Sequence, residues 1–439
     1  MLLRLATSAE RFVLLAASLL VAAFLVFCGV RAAWATHRAE SGTEAGITLA
    51  TRLEPDDPDN FFQLGRFWQF NLENADPDKA IRAYRQAAAI DPYSADTYIN
   101  LATAYETQND IPNARENFLK AQHAYPASSE VAWRVGNFFL RQDDLPTAFR
   151  DIRASVEADP GRGAEAFSRC LRVAPDLQTV LEQAIPPLPG VYLDILHDLS
   201  GESRTTEALI VWDRLLAMRP SPVFSPREIA PLVNALRAKK QIAEAARVWR
   251  QAVQLGGLGP GTIGDPLDSV LWDGGFESGF NNVGYSWSYS SNPHGVQIQR
   301  DSTEKHSGQS SLRLTFDGTS DVSFADVCHS VPVSPLVPYQ FSAWVRTREL
   351  TSDQGIRFRI QSSTPVAVAA ITPETHGTTD WTRIDFPWTS DSGAFEAQLC
   401  IVRLPSDQSG SRIRGTAWID DVSLTPRSFT STPIGTRHP

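Results

Sequence analysis

The sequence has few of the residues and motifs on which catalysis, redox chemistry and metal binding depend. Its 439 residues include four cysteines and eight histidines, and the histidines show no spacing typical of metal ligands. The chain has no C-x-x-C pair, no G-x-S-x-G motif and no phosphate-binding loop. We therefore expect no catalytic residues and no enzyme. A glycan-processing pair of carboxylates would nevertheless leave no spacing pattern, because its members are distant in sequence.

Positive charge is also scarce. The formal net charge is −10 at pH 7, and no run of the chain is rich in lysine and arginine. Proteins that bind nucleic acid need a basic surface to neutralise phosphates. We therefore expect no nucleic-acid partner.

One long apolar run lies near the N-terminus. Residues 12–30 carry no charge and, as a helix rising ~1.5 Å per residue, would span roughly 28 Å, about the thickness of a membrane's hydrocarbon core. Arg4 and Arg11 precede the run, which suits a cytoplasmic N-terminus and an exported remainder. We predict that residues 1–35 anchor a single-pass protein in the inner (cytoplasmic) membrane, with the bulk of the chain periplasmic.

Two other interpretations of this segment stay open. A cleaved signal peptide could use the A-W-A site at 33–35, although the run is long for a signal peptide and Arg31 follows it directly. A lipoprotein signal would need small residues before Cys28, where valine and phenylalanine stand instead. An anchor and a cleaved signal both export the rest of the chain.

The strongest internal pattern is a repeat marked by three evenly spaced prolines. Pro92, Pro126 and Pro160 follow one another at a constant interval, and the same residue classes precede each of them. The recurring positions are Ala80, Tyr84 and Ala87, then Ala114, Phe118 and Ala121, then Ala148, Ile152 and Ser155. Small residues let paired helices approach closely, and larger ones fill the gaps between them. Proline ends the second helix because it cannot donate the next backbone hydrogen bond.

This pattern resembles the tetratricopeptide repeat family over three near-regular units. Looser versions return at 208–220 and 245–252, so we predict about five units over residues 55–257. The resemblance implies a solenoid of paired helices with a protein partner in the groove lined by each first helix. The family's groove positions hold Phe62, Arg66, Ile99, Thr103, Trp133 and Asn137. Any of these could instead be an ordinary solvated or packing residue.

A glycine-rich stretch follows the repeats. We predict a linker at 258–266, because glycine and proline are dense around it. Gly259, Gly261 and Gly264 formally satisfy the dinucleotide motif G-x-G-x-x-G, which requires a strand before it and a helix after it. Here a helical pattern precedes the glycines and a loop follows, so the match is accidental.

From residue 267 onward the hydrophobic period changes to two. Segments 311–316, 339–346 and 356–360 alternate polar and apolar residues, as strands with one buried face do. Turn residues separate them at the spacing of a two-sheet sandwich. We predict an antiparallel β-sandwich over residues 267–426 and a disordered tail over 427–439.

Five short motifs here resemble galactose-binding-like jelly rolls of the carbohydrate-binding-module type. In family order they are WDGGFESG at 272–279, HSGQSSL at 306–312, VPV at 331–333, DWT at 380–382 and WIDDVSL at 418–424. The resemblance covers the whole domain and concerns fold more than ligand. The expected fold class is therefore multidomain: an N-terminal transmembrane helix, an all-α tetratricopeptide solenoid and an all-β jelly-roll sandwich.

The resemblance implies one structural calcium ion. The matching positions hold Glu277 and Asp421, with Asp420 as an alternate, and carboxylate oxygens suit Ca²⁺. These carboxylates could instead cap turns or pair with an arginine. Cys328 and Cys400 lie in the same domain and could form a disulfide in an oxidising compartment, or stay buried thiols on separate strands.

Carbohydrate binding is the second implication, and it depends on aromatic rings that face sugar C–H bonds. Tyr285, Trp287 and Tyr289 would place three rings on one side of an extended segment, and Trp344 and Trp388 are further candidates. All of these rings could instead pack inside the sandwich.

Together the patterns indicate a non-enzymatic, membrane-anchored scaffold or adaptor of bacterial type. It would bind a protein through its repeats and touch polysaccharide or another component through its sandwich, in cell-envelope or exopolysaccharide assembly and export. The alternative is a carbohydrate-binding receptor in which the solenoid serves as a spacer.

Overall fold

The computed structural model describes residues 8–73, 75–220, 222–223, 225–255, 269–278, 280–289, 294–364, 369–408 and 412–427. The predicted linker at 258–266, with Gly259, Gly261 and Gly264, lies outside the described residues, as does the predicted tail from 428 onward. The chain divides into two compact units, Met1–Leu188 and Pro189–Pro439. The helices between 189 and 254 thus group with the sandwich, although the sequence suggested a boundary near residue 257.

The first unit is helical throughout its described residues. Its helices are α1 (Ser8–Ala39), α2 (Glu44–Leu53), α3 (Pro58–Phe70), α4 (Pro77–Ile90), α5 (Ala95–Thr107), α6 (Ile111–Ala124), α7 (Ser129–Arg141), α8 (Leu145–Ala158), α9 (Gly163–Val173) and α10 (Leu177–Gln183), with a 3₁₀ turn at Pro160–Arg162. Helices α4, α6 and α8 begin at the same constant interval as the three prolines, as the repeat predicts.

Helix α1 is long and apolar enough to cross a membrane, and its apolar part is not buried against the first unit. The end of α1 lies against α2, where Ala35 is buried. The Nε of Arg31 donates to Oε1 of Glu54 at 2.8 Å, just after α2. The C-terminal end of α1 is therefore joined to the helices that follow it by packing at Ala35 and by the Arg31–Glu54 ion pair.

Close helix approach in the repeats depends on a small residue in the first helix of each pair. A Cβ added at Gly65 would lie 2.5 Å from the ring of Tyr84, and one at Gly136 would lie 2.7 Å from Ile152. Ala102, at the equivalent position of the middle unit, is fully buried. The pairing of small with large residues across each hairpin is confirmed.

The turns within the hairpins also repeat. Asn109 follows α5 with φ 61° and Asp143 follows α7 with φ 58°, at equivalent positions of successive units. Asparagine and aspartate adopt this left-handed conformation more readily than most residues, so both turns close in the same way.

The second unit joins four helices to a sandwich. Its helices are α11 (Pro189–Gly201), α12 (Thr205–Ala217), α13 (Pro226–Ala238) and α14 (Ile242–Gln254). Its strands are β1 (Ser288–Tyr289), β2 (Val296–Asp301), β3 (Ser311–Asp317), β4 (Phe324–Pro332), β5 (Pro338–Leu350), β6 (Arg357–Ser362), β7 (Ala370–Ile371), β8 (Gly377–Thr389), β9 (Glu396–Arg403) and β10 (Arg414–Pro426).

The strands form two antiparallel sheets of five. Sheet A has the order β1-β4-β9-β6-β7, and sheet B has the order β2-β3-β10-β5-β8. The core lies between them and is filled by inward side chains such as Leu312, Phe341, Phe358, Leu399 and Ile419, all fully buried. On β5 buried and half-buried residues alternate from Tyr339 to Thr347, which confirms the period of two. The outward residues are therefore the ones available for binding.

Candidate binding surfaces

The aromatic stretch at 285–289 does not form the predicted sugar platform. Trp287 is fully buried, stacks on Phe276 with ring centroids 4.8 Å apart, and donates its indole N–H to the carbonyl of Asp273 at 2.8 Å. Tyr285 is buried as well. The prediction assumed an extended segment, whereas the backbone turns at Val283 and Ser286 and points the rings into the domain.

Two further candidate rings differ in accessibility. Trp388 is 7% exposed and packs against Tyr339, because its position on β8 faces the core, so the prediction that it binds sugar is also corrected. Tyr289 is half-buried on β1 against Phe280.

Trp344 lies on the outer face of sheet B, and a loop residue covers it. The imidazole of His306 stacks on its indole with centroids 3.9 Å apart and planes 15° apart, and Trp381 meets the same imidazole edge-on at 5.7 Å. We call Trp344, His306 and Trp381 the aromatic patch. Trp381 could have been found from its place beside Trp344 on adjacent strands. His306 begins the HSGQSSL motif, but its place over Trp344 could not be predicted, because it reaches the patch from a loop.

Two buried carboxylates hold that loop in place. Oε1 of Glu277 accepts the backbone N–H groups of Gln309 and Ser310 at 2.7 and 3.3 Å. Oδ2 of Asp420 accepts those of His306 and Ser307 at 2.7 and 3.1 Å. The first and last motifs of the domain thus fix the loop between β2 and β3, and with it the aromatic patch.

Asp421 completes this arrangement from the strand surface. Its Oδ2 lies 2.6 Å from Nδ1 of His306, and its Oδ1 accepts from the hydroxyl of Ser307 at 2.6 Å. Burial raises the pKa of Asp420 to about 6, with Asp421 as a further contribution. The two neighbouring carboxylates therefore have different roles, one buried under the loop and one binding the imidazole.

The same carboxylates were the predicted calcium ligands. A Cβ added at Gly275 would lie 3.7 Å from an oxygen of Glu277 and 3.7 Å from one of Asp420, so these two face a common space. Asp421 instead turns to His306. Across the described residues no three His, Cys, Asp or Glu side chains come together as metal ligands. Calcium binding stays a prediction. Identical thermal melting curves in calcium and in EDTA would contradict it.

Cys328 and Cys400 form a disulfide in the structure. They lie directly opposite each other on β4 and β9, in antiparallel register. Cys170 is a buried free thiol in α9. The pairing follows from sheet register, which the spacing of the cysteines in sequence could not reveal.

The six predicted groove residues differ widely in exposure. Arg66 is exposed, and Phe62 and Thr103 are half-buried. Ile99, Trp133 and Asn137 are 6%, 8% and 8% exposed, so the prediction that they offer free contact area is corrected. Position on the first helix of a pair does not decide exposure, because neighbouring side chains cover these three.

The cover over Trp133 consists of cations. The guanidinium of Arg162 lies 5.4 Å and that of Arg169 lies 5.2 Å from its ring centroid. Arg169 also donates to Oδ1 of Asn137 at 3.1 Å, while the Asn137 amide donates to the carbonyl of Trp133 at 2.8 Å. Both arginines also pair with carboxylates, Arg162 with Glu130 and Asp159 and Arg169 with Glu165, so their charges over α7 and α9 are balanced.

In the second unit the last helical hairpin packs on the sandwich. Arg237 of α13 donates through Nε to Oε1 of Glu396 at 2.6 Å and through Nη2 to the hydroxyl of Ser330 at 3.0 Å. Trp249 of α14 meets Trp272 and Tyr285 edge-on at 5.4 and 6.1 Å. Tyr285 is therefore buried by a helix, and one end of sheet A is covered.

Residues 269–407 match the family described as "Carbohydrate binding domain". The structure of "Family 16 Carbohydrate Binding Module-2" is similar to 36% of this chain and 99% of its own, at 15% identity and a TM-score of 0.26. That of YrrB, a TPR protein with an unusual peptide-binding site, is similar to 48% of this chain and 93% of its own, at 14% identity and a TM-score of 0.25.

A curated relative, the general transcriptional corepressor ssn6 of Schizosaccharomyces pombe, is 28% identical over 145 residues. The match covers 28% of this chain and 13% of that relative, so this chain spans only a small part of its length. The match at 269–407 suggests carbohydrate binding by this C-terminal region.

Proposed function

We propose that this protein is a non-enzymatic membrane-anchored scaffold that binds a protein partner through its helical repeats and contacts carbohydrate through its sandwich. Helix α1 holds it in the inner membrane with the bulk of the chain periplasmic, and it serves cell-envelope or exopolysaccharide assembly and export. One observation carries the proposal. An exposed apolar helix is joined by the Arg31–Glu54 ion pair to the helices that lead into the stacked hairpins.

The roles of the buried titratable groups support a scaffold rather than an enzyme. Asp301 accepts the indole N–H of Trp418 at 3.0 Å and pairs with Arg313, and Glu277 and Asp420 hold a loop. Burial lowers the pKa of His329 to about 4, so this core imidazole is neutral at physiological pH. Each of these carboxylates makes hydrogen bonds or ion pairs within the fold.

The disulfide supports export. A bond between Cys328 and Cys400 persists in an oxidising compartment, which the periplasm provides. The test is a C-terminal fusion of the full chain to alkaline phosphatase, which folds only outside the cytoplasm, with a green fluorescent protein fusion as its counterpart. Active phosphatase supports the topology. A fluorescent fusion with inactive phosphatase would refute it.

The partner surface is tested at Arg66, the exposed residue of the predicted groove. We expect Arg66→Glu to lose at least tenfold in capture of the partner from a detergent extract, because it reverses a charge on the first-helix face. Arg172→Glu, an exposed arginine on α9, is the matched control. Equal capture by both variants would place the partner elsewhere.

A carbohydrate-binding receptor is the second candidate, favoured by the family match at 269–407. The aromatic patch is the surface it would use, because the outward positions of β4, β6 and β9 carry no aromatic ring in their described residues. A glycan array of the full chain separates the candidates. Binding lost in Trp381→Ala but kept in Phe395→Ala, an exposed ring outside the patch, favours the receptor. Silence across the array favours a scaffold that holds proteins only.

A further inference from the structure

A second surface of the repeats, separate from the first-helix groove, contains an open cavity. A cavity of about 250 Å³ lies between α4 and α6, with α5 as its floor. Tyr98 and Tyr105 of α5 line it from below, Arg85 borders it on α4, and Asn117 and Lys120 border it on α6. We call this the α4–α6 groove.

The repeat explains why the groove is open here. Ala88 stands where the next unit has Gln122. There Gln122 reaches the neighbouring second helix and donates to Oδ1 of Asp151 at 3.0 Å, which closes the gap between α6 and α8. Ala88 is too short to reach Asn117, the counterpart of Asp151. The next unit therefore fills this position with a longer side chain that bridges its two second helices.

The lining of this groove is also particular to its unit. Tyr98 and Tyr105 stand where the next unit has Ala132 and Phe139, so the next unit lacks both phenolic rings. Arg85 stands where the next unit has Leu119. Phenol hydroxyls and a guanidinium donate hydrogen bonds. The residues that distinguish this unit from the next therefore line the open groove with hydrogen-bond donors.

The charges in the groove favour an anion. Arg85 is exposed, lies over the ring of Tyr105 with its guanidinium 5.5 Å from the centroid, and has no carboxylate partner among the residues that the structure describes. Lys120 lies 6.0 Å from the ring of Tyr98 and pairs with Glu116 at 2.7 Å. The N–H donors of the Arg85 guanidinium are thus not paired with a carboxylate of the described residues. A carboxylate is the anion whose geometry matches those donors.

We propose that the α4–α6 groove binds a carboxylate of an acidic segment of a partner protein. The carboxylate lies against Arg85, the aliphatic stem packs on the two tyrosine rings, and the Asn117 amide contacts the segment's backbone. The carboxylate can belong to a glutamate or aspartate side chain or to a chain terminus. This site goes beyond the first-helix groove proposed above and does not depend on it.

The experiment measures peptide binding to the full chain in detergent by fluorescence anisotropy. Three labelled octapeptides separate the sources of the carboxylate: an amidated one alternating glutamate and alanine, its amidated glutamine counterpart, and the glutamine peptide with a free C-terminal carboxylate. We expect the glutamate peptide to bind at least tenfold more tightly than the amidated glutamine peptide. Binding of the third peptide alone identifies the terminus as the source.

The variants exchange groove residues for those of the next unit, which that unit already accommodates. Ala88→Gln closes the groove, and Arg85→Leu removes its unpaired cation. Each should weaken peptide binding at least tenfold with an unchanged circular dichroism melt. Arg172→Leu makes the same charge change away from the groove and should stay within twofold. Equal binding by all variants, or none of the three peptides binding the unsubstituted chain, would overturn the proposal.

Discussion

The helical hairpins and the sandwich differ in the sequence distance over which their stabilising contacts act. In the hairpins, Gly65 meets Tyr84 in the adjacent helix, and the same contact recurs between Gly136 and Ile152. In the sandwich, Asp301 binds Trp418 across 117 residues. Local contacts that recur at a fixed interval therefore produce a periodic pattern in the sequence. Contacts between distant residues produce no period and are visible only as the types of the residues involved.

The sharpest test of this difference is Trp287→Ala. The ring is fully buried against Phe276 and donates to the Asp273 carbonyl, so its removal leaves a cavity and costs one buried hydrogen bond. We expect a loss of about 3–5 kcal/mol in the free energy of unfolding. Urea unfolding of the full chain, followed by near-ultraviolet circular dichroism, measures it.

Trp381→Ala is the control for that substitution, because Trp381 is half-buried on the outer face. Trp381→Ala should lower the free energy of unfolding by less than half as much as Trp287→Ala does. If Trp287→Ala were no more destabilising than Trp381→Ala, then Trp287 would be a surface ring, and its original assignment as a sugar contact would stand.

The next largest effect is expected at Asp301, which joins β2 to β10. Burial alone would raise the pKa of Asp301, but hydrogen bonds from Thr303 and the Trp418 indole outweigh it and hold the pKa well below its usual range. A lowered pKa in the folded state means that the ionised carboxylate stabilises the fold at neutral pH, and that this contribution is lost as the pH falls below about 4.

Asp301→Asn should therefore cost about 2–3 kcal/mol at pH 7, because it removes the charge that Arg313 and Trp418 face. The difference from the unsubstituted chain should shrink as the pH falls from 4 to 2.5. Asp385→Asn, an exposed carboxylate on β8, should stay within about 0.5 kcal/mol. A difference at Asp301 that does not change with pH would mean that its charge plays no part.

The same contrast explains how much of the molecule could be predicted. The hairpins and the small residues at recurring positions such as Ala80, Ala114 and Ala148 followed from a single repeat period. The alternation of polar and apolar residues along β5 predicted a strand of the sandwich and identified which of its side chains face the core. The direction of Trp287 could not be predicted, since the turn that carries it depends on Asp273 and on packing against the other sheet. The burial of Tyr285 by Trp249 was equally hidden, because the contact joins a helix to a loop beyond it.

A smaller effect is expected where the helical repeat is tightest. Gly65→Ala puts a methyl group where the nearest atom of the Tyr84 ring is 2.5 Å away, so the hairpin must open. We expect a cost of about 1–3 kcal/mol. Gly190→Ala, in α11 with nothing within 4 Å of its added Cβ, is the matched control and should be neutral within about 0.5 kcal/mol. Equal melting temperatures for the two variants would contradict the close approach.

The smallest expected effect lies where the two kinds of structure meet in the second unit. Arg237 joins α13 to Glu396 and Ser330 of sheet A, in a partly buried ion pair. A double-mutant cycle of Arg237→Met and Glu396→Gln should give a coupling energy of about 1 kcal/mol in unfolding, which exceeds the few tenths typical of exposed pairs. Asp385→Asn combined with Arg383→Met tests an exposed pair on β8 in the same way. Equal coupling in the two cycles would mean that α13 lies on the sandwich without stabilising it, and that the helices and strands of this unit unfold independently.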